Sequence, residues 1–179
     1  GYMNQHFVVA DIAHGVTIAY DLLYHCFSPE ERETVENAMA EHGLFHLWDK
    51  MLYSWESYVR MNQGVLIALP LLMQTAFLKG RNPVYKHLFD KAVEFLSVHV
   101  SLPWNDEGVM GEGPAYGNGT LGNIAEALPV LAACTGKEIG SFLPSNPEGL
   151  LAYLCHCRST WRTPGTWPHF IGLSDGGEY

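Results

Sequence analysis

Basic residues are scarce in this chain: ten Lys and Arg stand against nineteen Asp and Glu, for a formal net charge of -9 over 179 residues. That balance argues against wrapping duplex DNA or docking on an anionic membrane surface, because both need a field of positive charge. No uncharged apolar run of about 18 residues is evident, so the expectation is that nothing spans a membrane. Period-two alternation is missing too, and no segment reads as a convincing strand or hairpin. Cysteine is sparse, with only Cys26, Cys134, Cys155 and Cys157. In Cys155-His156-Cys157 the thiols stand too close for the two-residue spacer of a zinc knuckle, so buried free thiols are expected there and no cofactor is implied.

What the chain does have is apolar content, 47% by composition, in helical spacing. Val8, Val9, Ile12, Val16, Ala19, Leu22 and Leu23 recur at three and four, the stripe of an amphipathic helix ending near Phe27. Ser28-Pro29-Glu30-Glu31 follows with a cap serine, a proline and a glutamate at the third helical position, so a second helix starts at Pro29. It carries Val35, Met39, Leu44, Leu47 and Trp48 and dissolves near Tyr53. A third pattern runs from about Asn62 to Phe77, closed by Gly80. Asn82-Pro83 opens a fourth over Val84–Val100, which Pro103 ends. Leu121–Cys134 reads as a fifth and Asn146-Pro147-Glu148 caps a sixth that reaches about Ser159. The fold class is therefore all-α, built from stacked antiparallel helix pairs; the pattern, which lacks a fixed sequence repeat, leaves bundle, solenoid and α/α toroid open. The tail from Trp161 to Tyr179, rich in Pro, Gly and Trp, reads as part of a larger fold of which this chain is one piece.

Between the fourth and fifth patterns lies Asp106-Glu107-Gly108-Val109-Met110-Gly111-Glu112-Gly113-Pro114-Ala115-Tyr116. Leading into a helix, it puts Tyr116 near a helix N-terminus, where the backbone dipoles favour an anion such as a phenolate or a substrate carboxylate. Its glycines would let backbone approach a ligand closely. Glu112 is placed either to orient Tyr116 or to cap that helix. A packed tyrosine in a flexible loop is the plainer reading of the same residues.

This stretch resembles the "DG-x-x-x-EG-x-x-Y" signature of the heparinase II/III-like polysaccharide lyases and the related glycosaminoglycan uronyl C5-epimerases, with one extra residue between the acid and the EG pair. Ile18-Ala19-Tyr20-Asp21-Leu22-Leu23-Tyr24 with Ser28-Pro29-Glu30-Glu31-Arg32 is similar to that family's "AYDWLY…SPEER" helix pair. Arg60-Met61-Asn62-Gln63-Gly64 resembles its Asn- or His-bearing helix start, and Asp175 its "GDS" segment.

The resemblance implies an incomplete α/α toroid, usually followed by a β-sandwich domain that this sequence does not contain. It also implies removal of the C5 proton of a uronic acid in an anionic polysaccharide, with export from the cytoplasm, where such polymers are met. On this reading Asn62 and Gln63 neutralise the substrate carboxylate, and Tyr116 moves the proton between C5 and the departing oxygen at C4. Arg60, His14 and His169 are candidate neighbours that would depress the Tyr116 phenol. Trp55, Trp104, Trp161 and Trp167 are candidates to stack on sugar rings, with packing against neighbouring helices as the plainer alternative. Asp106, Glu107 and Glu112 are the only acids of this stretch from which a hydrolase-type carboxylate pair would be drawn.

Overall fold

A computed structural model describes residues 5–157, which form eight α-helices. They are α1 (Gln5–Leu23), α2 (Pro29–Ala38), α3 (Phe45–Tyr53), α4 (Trp55–Tyr58), α5 (Gln63–Leu78), α6 (Pro83–His99), α7 (Pro114–Thr135) and α8 (Pro147–Cys157). Among the described residues the sole β feature is an isolated antiparallel bridge between Trp104 and Met110, so the all-α class stands.

The expected caps are in place. Ser28 accepts from the Glu31 amide while Glu31 accepts from the Ser28 amide, a complete capping box. Asn82 accepts from the Tyr85 amide and opens α6. Asn146 Oδ1 accepts from the Gly149 amide at 2.7 Å and opens α8.

Two expectations are corrected. The second helical pattern is not one helix: a π-helical segment, Met39–Leu44, separates α2 from α3, and Ser54 breaks the chain again before α4. Gly43 lies in that wide turn, where a Cβ would come within 2.8 Å of the Gln74 amide on α5. Helix α7 begins at Pro114, a full two turns earlier than Leu121, because the glycines of 117–122 are tolerated once Pro114 supplies a pre-set first turn.

Helix α5 is the centre. Its residues Val65, Ile67, Ala68, Leu69, Leu71, Leu72 and Leu78 are all buried, and a helix apolar on every side must be enclosed by others. It packs on α1, α3, α6 and α7. His6 meets Tyr58 at one end while Tyr20 packs edge-on against Phe77 at the other, so α1 and α5 run parallel. Helix α7 starts beside the start of α5. His99, ending α6, bonds Val59, and Lys79 lies over the Phe89 ring, so α6 runs opposite to α5. Leu154 of α8 lies under Gly117, with Pro147 near Leu128, so α8 opposes α7. Helices α1, α5 and α7 thus share one direction, and α6 and α8 run against them.

The run His6–Cys26, which includes Asp11 and Asp21, has a mean hydropathy of 1.3 over 18 residues, long and apolar enough to cross a membrane by length and composition, and 22% of that window is buried within the fold. Of the cysteines, Cys157 is buried, but Cys26 and Cys155 are exposed, so burial of the thiols holds only in part.

Candidate active site at the starts of α5 and α7

The turn that carries Arg60, Met61 and Asn62 is built by short-range backbone bonds from Tyr58 to Ser54, Val59 to Trp55, Arg60 to Ser57 and Met61 to Tyr58. What holds it against the core is His99. The ring is fully buried, and its Nδ1 lies 2.9 Å from the Val59 carbonyl; a carbonyl only accepts, so Nδ1 carries the proton and donates. Burial drives the His99 pKa down to about 4, opposed by that bond, and the ring is neutral near pH 7. Gly64 lets this turn close. A Cβ there would overlap the Tyr58 carbonyl oxygen and come within 2.7 Å of His99 Nδ1.

The second wall is the loop before α7. Asn105 Oδ1 accepts from the Glu107 and Val109 amides at 3.0 and 2.8 Å, and the Trp104–Met110 bridge closes the base of this small hairpin. Gly108 has φ 84, and a Cβ on it would overlap the Leu150 backbone nitrogen. Gly113 has φ 92 and ψ 174 as the cap of α7, a conformation essentially restricted to glycine. The close approach at Gly108 is to the start of α8.

The two walls meet at Glu112. Its carboxylate accepts from the Asn62 backbone N–H at 2.5 Å across 50 residues of sequence. Asn62 is the cap residue of α5 and its own side chain makes no capping bond, so Glu112 supplies an anion to the positive end of α5. This contact to a second helix was not among the roles expected for Glu112 from sequence. The chain needs the tertiary contact to bring this carboxylate to a different helix.

Among the residues expected in the site, Asn62 and Gln63 are half-buried at the start of α5, Arg60 is exposed in the turn before it, and Tyr116 is half-buried in the first turn of α7. These four, with Glu112, lie at one end of two packed parallel helices. His14 does not join them. It faces Glu126 at 3.1 Å, about three turns further along α7 than Tyr116.

Trp104 is 7% exposed and packs within the core, and Trp55 sits edge-on to Phe95 at 4.7 Å, so the plainer packing role holds for both. His169, Trp161, Trp167 and Asp175 fall outside the described residues. Asp106 and Glu107 are exposed, and their backbone lies against the start of α8, whereas Glu112 lies against α5; the loop does not gather these three acids on one neighbour.

The sequence reading missed His6, Tyr58 and His99. His6 Nε2 lies 3.3 Å from the Tyr58 hydroxyl, beside the turn that carries Arg60. Burial first, then the positive charges of Lys50 and His46, hold the His6 pKa below its ordinary value. His99 had a legible signal, since it continues the Leu88, Ala92, Phe95, Leu96 stripe of α6 and so had to face the core. His6 and Tyr58 had none, because their pairing joins the start of α1 to the end of α4, 52 residues apart. No family model, curated protein or solved structure matches the chain.

Proposed function

We propose that this chain is part of a uronate polysaccharide lyase that acts by β-elimination, folded as a segment of an α/α toroid. The observation that carries the reading is the bond from the Asn62 amide to Glu112, which ties the Asn62-Gln63 pair and the Glu112-Gly113-Pro114-Ala115-Tyr116 motif to one place. The directions of the helices, α1, α5 and α7 one way and α6 and α8 the other, suit a toroid.

In this reading the Asn62 and Gln63 side-chain amides donate to the substrate carboxylate, so that it accepts the charge that develops when C5 loses its proton. Tyr116, as the phenolate, takes that proton. The C5 electron pair forms the C4–C5 double bond as the C4–O bond breaks, and the phenol returns the proton to the departing oxygen. The N-terminus of α7 places oriented N–H dipoles at this end, which favours an anionic sugar despite the negative net charge, whereas that of α5 is met by Glu112. Arg60, two residues from Asn62, is the cation of the site. The substrate is an anionic polysaccharide met outside the cytoplasm.

A second reading shares the first step: the Glu112-Gly113-Pro114-Ala115-Tyr116-Gly117 form resembles the C5-epimerase branch, in which C5 is reprotonated from the opposite face. The test is to incubate the chain, and its Tyr116→Phe variant, with heparin, heparan, chondroitin, hyaluronan and alginate. A lyase yields unsaturated uronates absorbing in the ultraviolet, and Tyr116→Phe lowers that rate at least a hundredfold. Solvent deuterium at C5 without chain cleavage would select the epimerase. Unchanged activity in Tyr116→Phe would overturn both.

A further inference from the structure

The turn that carries Arg60 and Asn62 is held by two histidines from two different helices. Tyr58 and Val59 are consecutive residues at its entrance. From α1, His6 Nε2 lies 3.3 Å from the Tyr58 hydroxyl; from α6, His99 Nδ1 donates to the Val59 carbonyl at 2.9 Å. Both of those helices pack on α5, the helix into which the turn leads. Apart from these two bonds and the Asn62–Glu112 contact, the turn is closed by short backbone bonds of its own, Arg60 to Ser57 at 3.1 Å and Met61 to Tyr58 at 3.2 Å.

Each ring keeps its second nitrogen buried and without a hydrogen-bond partner among the described residues, Nδ1 in His6 and Nε2 in His99. A neutral imidazole has one N–H to satisfy, and the bond to the turn can take it. An imidazolium has two, and the second would be a charged donor facing no acceptor in a buried site. The charged groups that face His6 are Lys50 and His46 of α3, which oppose a further positive charge, and the Tyr58 hydroxyl is its other titratable neighbour. His99 faces the Val59 carbonyl and stacks on Phe95 at 5.8 Å, and no charged side chain shifts it. Burial is the first cause that holds both rings below the ordinary histidine pKa, His99 at about 4.

We propose that His6 and His99 are a two-point clamp that keeps the Arg60–Asn62 turn closed at neutral pH and lets it open, with the rest of the fold in place, as the rings protonate in mild acid. As regulation of the Asn62, Gln63 and Tyr116 site this rests on the lyase reading; the opening itself does not. With the turn open, both rings meet water and bind protons below pH 6.5, whereas the closed turn refuses one at His99 until about pH 4. Closure is therefore fully present above pH 6.5 and weakens as pH falls through that window. His99 alone raises the ratio of open to closed turn about 25-fold between pH 7.5 and 5, and His6 adds in the same direction.

The experiment follows amide hydrogen exchange of the full chain by NMR at pH 7.5, 6 and 5, in zero to 1 M urea. Protection factors at Arg60 and Met61, whose amides bond carbonyls and not a carboxylate, should fall at least tenfold from pH 7.5 to 5 and should not depend on urea, the mark of a local opening. In the double variant His6→Gln/His99→Asn, whose amides hydrogen-bond but do not titrate, the fall should shrink to less than threefold; circular dichroism checks that it folds, and the native-chain measurements stand by themselves if it does not. Protection that is independent of pH, a urea dependence equal to that of the core amides Ala92 and Leu131, or an undiminished fall in the folded double variant overturns the proposal. On any uronate polymer that is cut, the ratio of double-variant to native rate should rise at least fivefold from pH 7.5 to 5, and a constant ratio would overturn the regulatory role. No cleavage of any polymer would overturn the lyase reading, and the exchange measurements would still decide the clamp.

Discussion

Acid should unfold this protein through His99 before most of its carboxylates are reached. In the folded state the ring is neutral, with a pKa of about 4 against 6.5 for an ordinary histidine, because a protonated ring would sit in a fully buried site. Between those values the unfolded chain binds a proton that the folded chain refuses, so stability is fully present above pH 6.5 and falls as pH drops through that window. At about 1.36 kcal/mol per pKa unit the loss approaches about 3 kcal/mol by pH 4 and levels off below it. That is a large share of the roughly 5–15 kcal/mol of a typical domain. Urea unfolding of the chain and of His99→Gln at pH 7.5, 6, 5 and 4 provides the assay, with the variant offset at pH 7.5 by the loss of the packed ring. The two stability curves should converge as pH falls, since only the native chain loses the His99 contribution; His6, also held low, titrates in both and cancels. Parallel curves, or an NMR titration of the His99 ring near pH 6.5, would refute the reasoning.

Other substitutions probe the supports of the site. Gly64→Ala should displace the turn carrying Arg60 and Asn62, because the added methyl overlaps the Tyr58 carbonyl; we expect a loss of about 1–3 kcal/mol in urea unfolding together with loss of the proposed lyase activity, whereas retention of both would place the turn elsewhere. Gly113→Ala forces a side chain into a conformation costing about 1–3 kcal/mol, read as a lower Tm and a slower reaction with Tyr116 still present. An unchanged Tm would mean that the chain entering α7 takes a different path.

Local chemistry made much of this architecture readable before any coordinates. Ser28-Pro29, Asn82-Pro83 and Asn146-Pro147 announce helix starts because the capping groups and the helices they cap lie within three residues of each other. The apolar stripe of α6 announces its buried face for the same reason, and Tyr116 could be assigned to a helix start from the Gly113-Pro114 pair beside it. Other features depended on residues distant in sequence. The second pattern reads as one continuous helix, yet it opens into a π turn at Gly43 because Gln74, on another helix, occupies the space beside it. Glu112 stands beside the start of α7 in sequence, and only the tertiary fold shows that it also meets the Asn62 amide of α5, 50 residues away. Trp104 has the local surroundings of a loop tryptophan, and it is the packing of α7 and α8 over it that makes it core. Whether the apolar stripe of α1 faces inward or outward was equally undecided by its spacing. Periodicity shows that a helix has a greasy side, and only the neighbours that fold around it determine which sides are covered.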